Sequence, residues 1–273
     1  REIEQPAGFV LDDTIYPVTI GADGQVVEIE IVNRYVRGNI HLTKVDSEYP
    51  DNKLTGATFE VYKDSNANGK MDDGDELLGT LTEKEKGEYS MNDLFYGRYF
   101  VKETNAPEGF VLDTGVYEVK IDTNGKTYEV ENKAGVGFIN DAMRGNLKIV
   151  KTSSDGKVKG FAFRITGANG YDIILETNDK GEIFIDGLRI GDYTISEVSN
   201  SASSMYVIPA DKKATVKIGS TTIVEMHNLL RDTPKTGDTT NLPLLYALAG
   251  LSAVGIAVCG VIGFKKKKKE DRN

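Results

Sequence analysis

A predicted strand that ends in an inward-facing glutamate constrains the fold of this chain more than any other feature. In residues 99–110, YFVKETNAPEGF, the two-residue period of a strand places Tyr99, Val101 and Glu103 on one face. A carboxylate on an apolar face is costly unless another group pairs with it. Residues 105–109, NAPEG, then predict a tight turn, because proline fixes one φ angle and glycine allows a positive one. The sequence therefore predicts a strand, a buried acid and a turn in direct succession.

The same pattern occurs in two further places. Residues 193–197, YTISE, repeat the alternation and end in Glu197. Residues 1–9, REIEQPAGF, match the second half of the pattern, with Glu2 at the position of the glutamate. We therefore expect three copies of one unit and interpret the sequence as a fragment, since its first copy begins part-way through. The predicted boundaries are 1–37 for the second half of a domain, 38–143 and 144–232 for two domains, and 233–273 for a segment of different character.

Each complete unit also places a lysine and an asparagine on its apolar face. Ile40, Leu42 and Lys44 share one face of the predicted first strand. The predicted last strand of this unit ends in Asn140, on the same face as Phe138. The corresponding residues elsewhere are Lys151 and Asn228 in the third copy and Asn33 in the first. Chance placement would scatter these polar residues over both faces of the strands.

Composition and charge limit the classes of fold and function. The chain has 29 Gly, 13 Tyr, 10 Phe and no Trp, which together with abundant Val, Ile and Thr favours an all-β fold. In the first copy, residues 16–20 and 26–32 are predicted strands joined by a hairpin at 21–25. A net charge of −9 argues against a nucleic-acid partner. A single cysteine, Cys259, excludes a disulfide framework within the chain.

A lysine, a glutamate and an asparagine that meet in an apolar core can react with one another. Burial lowers the pKa of a lysine and raises that of a glutamate, so a neutral amine can coexist with a protonated acid. The amine can attack the asparagine carboxamide while the acid hydrogen-bonds its oxygen and carries a proton to the departing ammonia. The alternative is a non-covalent polar cluster, which is a weak source of stability because desolvation cancels much of the attraction.

These residues also carry a family resemblance. A first-strand lysine, the box YFVKETNAPEGF and a last-strand asparagine resemble the Cna-B or SpaA-like domains of Gram-positive pilins and adhesins. The resemblance implies tandem Ig-like or prealbumin-like β-sandwich domains, each closed by a self-formed isopeptide bond. It implies two complete trios and one that lacks its lysine: Lys44, Glu103 and Asn140; Lys151, Glu197 and Asn228; Glu2 and Asn33.

The C-terminal segment resembles a cell-wall sorting signal of the LPxTG type. It contains TPKTG, an almost wholly apolar stretch at 244–264 that is long enough for one transmembrane helix, and a lysine-rich tail. The motif residues are Thr233, Pro234, Lys235, Thr236 and Gly237. The resemblance implies that a sortase cleaves after Thr236 and joins it to peptidoglycan or to another pilin subunit. The alternative is a protein that simply remains in the membrane, with Cys259 as a small apolar residue in lipid.

An acidic insertion at residues 64–76 has the spacing of a calcium-binding loop. Its ligand positions would be Asp64, Asn66, Asn68, Lys70 through its carbonyl group, Asp72 and Asp75. The alternative is a solvated turn, because Asn, Asp and Gly also favour turns. No other cofactor is expected.

No residues suited to catalytic turnover stand out, since His41 and His227 are predicted to face outward. The leading hypothesis is a secreted, wall-anchored structural stalk, as in an adhesin or a pilin subunit. The second is the stalk of a surface enzyme whose catalytic domain lies upstream. A third is a module that binds a sugar or a matrix protein, and the sequence names no such host ligand.

Overall fold

The computed structural model describes residues 1–232, which form β-sheets with almost no helix. Two consecutive domains account for all the strands. The middle domain begins with β1 (Arg37–Asp46), and the last domain begins with β10 (Arg144–Ser153). The predicted all-β fold is confirmed in this part of the chain.

Two sheets of the middle domain enclose its core. One sheet contains β4 (Thr82–Glu85), β5 (Glu88–Phe95), β1 and β8 (Thr127–Glu129) in that order, and β9 (Phe138–Asn140) also pairs with β1. The other sheet contains β3 (Glu76–Thr80), β2 (Thr58–Lys63), β6 (Gly97–Asn105) and β7 (Val116–Ile121). Aromatic rings fill the space between them, with Phe59 in edge contact with both Tyr89 and Phe138.

The last domain repeats this arrangement. One sheet has the order β13 (Glu182–Arg189), β10, β17 (Thr221–Leu230) and β15 (Tyr206–Val207). The other has the order β12 (Asp172–Glu176), β11 (Ala162–Thr166), β14 (Gly191–Val198) and β16 (Lys212–Val216). In both domains the first strand therefore lies directly beside the last.

The first and last strands run parallel, and their register is the same in the two domains. Lys44 lies opposite Phe138, and Lys151 lies opposite Met226. Each asparagine is thus two residues further along the neighbouring strand, on the same face as the lysine. A strand spacing of about 4.8 Å and a rise of about 3.3 Å per residue separate their Cα atoms by roughly 8 Å, within reach of a lysine side chain.

A buried ion pair joins the two domains. The Arg189 guanidinium, at the end of β13, donates to both carboxylate oxygens of Asp46 at 2.6 and 2.7 Å. It also donates to Glu48 at 2.9 Å and lies over the Tyr49 ring. Beside it, the Met143 N–H donates to the Gly109 carbonyl at 2.8 Å. The turn that follows Glu103 therefore contacts the linker between the domains.

Residues 1–34 contain none of the strands that were predicted for them. Residues 16–20 and 26–32, the expected strands, have no strand partners, and their apolar residues are exposed, as at Ile20 and Val26. A bridge between Phe9 and Tyr35 attaches this segment to the middle domain. The prediction was wrong because an alternating pattern forms a stable strand only where a neighbouring strand and an apolar layer are present, and residues 1–232 offer neither here.

Candidate cross-linking sites

Lys44, Glu103 and Asn140 lie together in the core of the middle domain. Their relative exposures are 0%, 0% and 3%. The Asn140 amide donates to Glu103 Oε2 at 2.8 Å and to the Val111 carbonyl at 2.7 Å. Lys44 Nζ donates to the carbonyl of Phe138 at 3.1 Å, on the strand that carries Asn140. The amine and the carboxamide thus occupy adjacent positions on neighbouring parallel strands.

The electrostatics of the middle cluster favour neutral groups. Burial lowers the pKa of the Lys44 amine to about 8, against the attraction of the nearby carboxylates of Glu103, Asp113 and Asp46. Burial raises the pKa of Glu103, although hydrogen bonds from the Asp113 N–H and Asn140 act in the opposite direction. Two oxygens of the cluster, Glu103 Oε1 and Asn140 Oδ1, have no hydrogen-bond partner among residues 1–232.

The last domain contains a second cluster of the same kind. Lys151, Glu197 and Asn228 are all buried, and the Asn228 amide donates to Glu197 Oε1 at 2.6 Å. Lys151 Nζ donates to the Thr152 carbonyl and lies 4.0 Å from the centre of the Phe161 ring. Burial lowers the pKa of Lys151 and raises that of Glu197. Glu197 Oε2 and Asn228 Oδ1 again have no partner in the described part of the chain.

The N-terminal copy reproduces half of this arrangement. The Asn33 amide donates to Glu2 Oε1 at 2.8 Å, and both residues are only partly buried. The Asp12 N–H donates to Glu2 Oε2 at 2.7 Å. Within residues 1–232, no lysine hydrogen-bonds to Glu2 or Asn33.

An aspartate that the sequence analysis missed is part of the middle cluster. The Asp113 N–H donates to Glu103 Oε2 at 2.8 Å, and the Asp113 carboxylate accepts hydrogen bonds from Tyr117 Oη at 2.8 Å and Asn132 Nδ2 at 2.6 Å. The signal was available, because the residues FVLD occur after the turn in both the first and the second copy. Asp12 and Asp113 both end that repeat.

Comparison with protein families identifies the two domains. Residues 38–134 and 145–229 each match the SpaA family, described as a prealbumin-like fold domain, and together they make up more than half of the chain. The chain belongs to the SpaA family of prealbumin-like fold domains. No curated protein matches the sequence.

Among solved structures, the SpaA-family chain is similar to the TIE protein of Bacillus anthracis. The TM-score is 0.62 and the identity 26%, over 83% of this chain and 40% of the other. The chain therefore spans less than half of that protein. Two pilins also align. GBS52, the minor pilin of Streptococcus agalactiae, has a TM-score of 0.34 and 18% identity over 72% of this chain and 98% of the other. The shaft pilin SpaA of Lactobacillus rhamnosus GG has a TM-score of 0.33 and 14% identity over 73% of this chain and 100% of the other. TM-scores this low do not establish a shared domain arrangement.

The acidic insertion of the middle domain forms a hydrogen-bonded loop between β2 and β3. Asp64 accepts from the N–H groups of Asn68 and Gly69, and Asp72 accepts from the side-chain amides of Asn66 and Asn68. In residues 1–232, no three His, Cys, Asp or Glu side chains are grouped as a metal site. The loop ligands predicted from the sequence also include asparagine and carbonyl oxygens, and calcium binding stays a prediction.

The two histidines lie outside both clusters. His227 is exposed and contacts Thr152, whereas His41 is partly buried between Glu88 and Glu129. The sorting motif at 233–237 and the apolar stretch at 244–264 lie outside the described residues. Residues 1–232 contain no helix with the length and hydropathy needed to cross a membrane.

Proposed function

We propose that this chain is a structural stalk of a Gram-positive surface protein, an adhesin or a pilin subunit, in which each SpaA domain is closed by a Lys–Asn isopeptide bond. One observation carries the proposal. In both domains a buried lysine shares a pocket with a carboxyl–carboxamide pair, and that pair leaves one oxygen of each group without a hydrogen bond within residues 1–232. An unpaired buried oxygen costs about 1–3 kcal/mol, so two such pairs require an explanation.

A proton on the glutamate supplies the missing hydrogen bond. In the middle domain, Glu103 Oε2 already accepts from Asn140 Nδ2. A protonated Oε1 donates to Asn140 Oδ1, which completes a cyclic acid–amide pair and withdraws electrons from Asn140 Cγ. Burial raises the pKa of Glu103, which favours this protonated form.

The reaction then follows from the lowered pKa of Lys44. The neutral amine attacks Asn140 Cγ, and Glu103 stabilises the oxygen as negative charge develops on it. A C–N bond forms between Lys44 Nζ and Asn140 Cγ, the bond between Cγ and Nδ2 breaks, and Glu103 transfers a proton from Nζ to the departing ammonia. The product is an amide and one free ammonia per domain, so atoms and charge balance.

The strand order gives such a bond a mechanical role. Because β10 and β17 are parallel neighbours, force that pulls the chain ends apart loads their hydrogen bonds in shear. A bond from Lys151 to Asn228 carries that force directly from one strand to the other and leaves residues 152–227 unloaded. By analogy with a disulfide that closes a loop of about 100 residues, the cross-link also contributes on the order of 4 kcal/mol through the unfolded state.

Intact mass spectrometry of the recombinant chain tests the proposal. We expect wild type to be lighter than its sequence by two ammonia molecules, and Glu103→Ala and Glu197→Ala each to regain one. Glu225→Ala, which changes an exposed residue on β17, is the matched control and should keep both losses. A wild-type mass equal to the plain sequence would show that both clusters are non-covalent.

We further propose that sortase attaches this stalk to peptidoglycan or to another pilin subunit through Thr236. The support is the order of TPKTG, apolar stretch and lysine tail in the sequence. In a purified sortase reaction with an amine acceptor, we expect Thr236 to become joined to the acceptor, and a chain left uncleaved would contradict this. The second candidate is the stalk of a surface enzyme whose catalytic domain lies upstream. The chain covers 40% of a longer structural relative, which is compatible with an upstream domain of any kind.

A further inference from the structure

Each described cluster has a second acid that faces the lysine and is held by a tyrosine hydroxyl. In the middle domain this acid is Asp113, which accepts from Tyr117 Oη and whose charge acts on Lys44. In the last domain it is Asp155, which accepts from Tyr206 Oη at 2.6 Å and whose charge acts on Lys151. The two aspartates come from different parts of the fold. Asp113 follows the turn after β6, and Asp155 lies in the turn after β10.

The backbone contact to the glutamate differs between the two domains. Asp113 donates its N–H to Glu103, and Asp12 makes the same bond to Glu2 in the N-terminal copy. No backbone group of residues 1–232 donates to Glu197, whose hydrogen bond comes from Asn228. The residue ten positions after Glu197 is Val207, where Glu2 and Glu103 have aspartate.

The side chain of Asp113 fixes the direction of its own N–H. Its carboxylate accepts from the Gly115 N–H at 2.6 Å, as well as from Tyr117 and Asn132. Asp12 is held in a corresponding way by the Thr14 N–H and Tyr16 Oη. These contacts hold the chain after the turn so that one carboxyl oxygen of the glutamate stays bound to the backbone.

We propose that Asp113 is a positioning residue for the cross-linking reaction of the middle domain. It orients the Glu103 carboxyl through its backbone N–H, and its negative charge adds to burial in favouring the protonated form of Glu103. The inference rests on the proposed isopeptide reaction and adds a fourth residue to it. In the last domain the charge of Asp155 acts on Lys151, and no backbone N–H of residues 1–232 donates to Glu197.

The charges around Asp113 give the role a distinctive pH signature. The ionisable groups that face it are Glu103 on β6, Lys44 on β1 and Tyr117 on β7, and Asp46 at the end of β1 also acts on Lys44. Burial and the Asp113 charge raise the pKa of Tyr117 to about 12, so it remains a hydrogen-bond donor at neutral pH. Removing the Asp113 charge lowers the pKa values of both Glu103 and Lys44, because a nearby negative charge raises each of them.

Loss of the Asp113 charge shifts the pH optimum of the cross-linking reaction in one direction. Cross-linking requires a protonated Glu103 and a neutral Lys44. When both pKa values fall, Glu103 loses its proton at a lower pH, and Lys44 becomes neutral at a lower pH. The pH optimum of the reaction therefore moves downward. A variant that only loosened the fold would slow the reaction without moving its optimum.

The experiment follows each bond separately in the full chain. Protein made in a short pulse of cell-free synthesis is diluted into buffers of different pH, quenched in denaturant at intervals and digested. Mass spectrometry then quantifies the cross-linked peptides of the first bond, Lys44–Asn140, and of the second bond, Lys151–Asn228. The second bond is an internal control for folding and timing. Asp113→Asn keeps the backbone donor and removes the charge, whereas Asp113→Ala also removes the contacts that hold the turn.

For Asp113→Asn we expect the optimum for the first bond to fall by on the order of one pH unit, with the second bond unchanged. For Asp113→Ala we expect an additional slowing of about tenfold. An unmoved optimum in Asp113→Asn overturns the proposal. If that variant forms no first bond at any pH, Asp113→Glu decides, because it keeps the negative charge: a first bond with the wild-type optimum supports the proposal, and no first bond overturns it. Absence of both bonds in wild type would instead refute the proposed function.

Discussion

Replacing Arg189 by alanine should remove the buried ion pair between the two domains. The perturbation is well defined, because the Arg189 guanidinium is bidentate to Asp46 and also binds Glu48. Asp46 has a side-chain exposure of 0%, and Arg189 of 16%. Without the arginine, the buried Asp46 carboxylate accepts hydrogen bonds only from the backbone N–H groups of residues 48 and 49.

The magnitude follows from the burial of the pair. Breaking a buried ion pair by removing one partner typically costs about 3–5 kcal/mol. Two backbone donors remain, so we expect the lower end, about 3 kcal/mol. For a domain of roughly 100 residues this corresponds to a fall of about 10 °C or more in melting temperature.

Arg164 provides a matched control in the last domain. It forms a bidentate pair with Asp172, but its side chain is 53% exposed and that of Asp172 is 42% exposed. An exposed pair contributes about 0–1 kcal/mol, so Arg164→Ala should have little effect on stability.

Two measurements separate domain stability from domain orientation. Differential scanning calorimetry reports the melting temperature, and small-angle X-ray scattering reports the distribution of interdomain distances. We expect Arg189→Ala to lower the melting temperature and to broaden the distribution of interdomain distances. Arg164→Ala should change neither quantity. A double-mutant cycle with Asp46→Asn measures the coupling energy directly. Equal effects of the two arginine variants would refute the reasoning, because burial would then not determine the strength of the pair.

Two further predictions concern pH and calcium. In Asn140→Ala, Lys44 stays a free amine with a pKa of about 8 in the folded state and near 10.5 in the unfolded state. Between these two pH values the unfolded state binds more protons, so the free energy of unfolding should rise from pH 8 to 10.5. Urea unfolding across this range measures the rise, and a flat profile contradicts it. If the acidic loop binds calcium, titration calorimetry at millimolar calcium should show heat of binding in wild type. Asp64→Asn should abolish this heat, and Asp179→Asn, an exposed control, should retain it. No heat in wild type would exclude the site.

Much of the fold could be predicted because the sheet alternation is regular. The parity of Ile40, Leu42 and Lys44 placed the lysine in the core, and the structure has all three buried. The same reasoning placed Glu103 and Asn140 in the core. It also predicted strands in residues 1–34 that do not form, because parity describes one strand and carries no information about whether a partner strand exists.

The residues that complete the clusters could not be found in this way. Asp113 lies after a turn, where strand parity does not apply, and Asp155 reaches the second lysine from another loop. The Asp46–Arg189 pair joins residues in separate domains, and each of them alone reads as an ordinary surface charge. Contacts of this kind depend on the docking of whole elements, which local sequence patterns do not determine.

The turn after β6 explains why the box around Glu103 extends well beyond the glutamate. Gly109 has a φ of +84°, and its carbonyl accepts the Met143 N–H from the linker. Gly8 of the N-terminal copy has a φ of +85° and accepts the Val36 N–H in the same way. The Met143 carbonyl then accepts the N–H of Ile190, next to Arg189. One segment thus holds the acid of its own domain and docks the following domain.

The last domain is consistent with this double role. Residues 199–206 replace the Pro-x-Gly turn there, and within residues 1–232 no further domain docks against them. Glu197 is nevertheless buried and bound to Asn228, so the acid itself does not require the turn. What the turn adds is the joint, together with the backbone donor at Asp113. The glutamate and the turn are therefore separable parts of the box, and only the glutamate is common to all three copies.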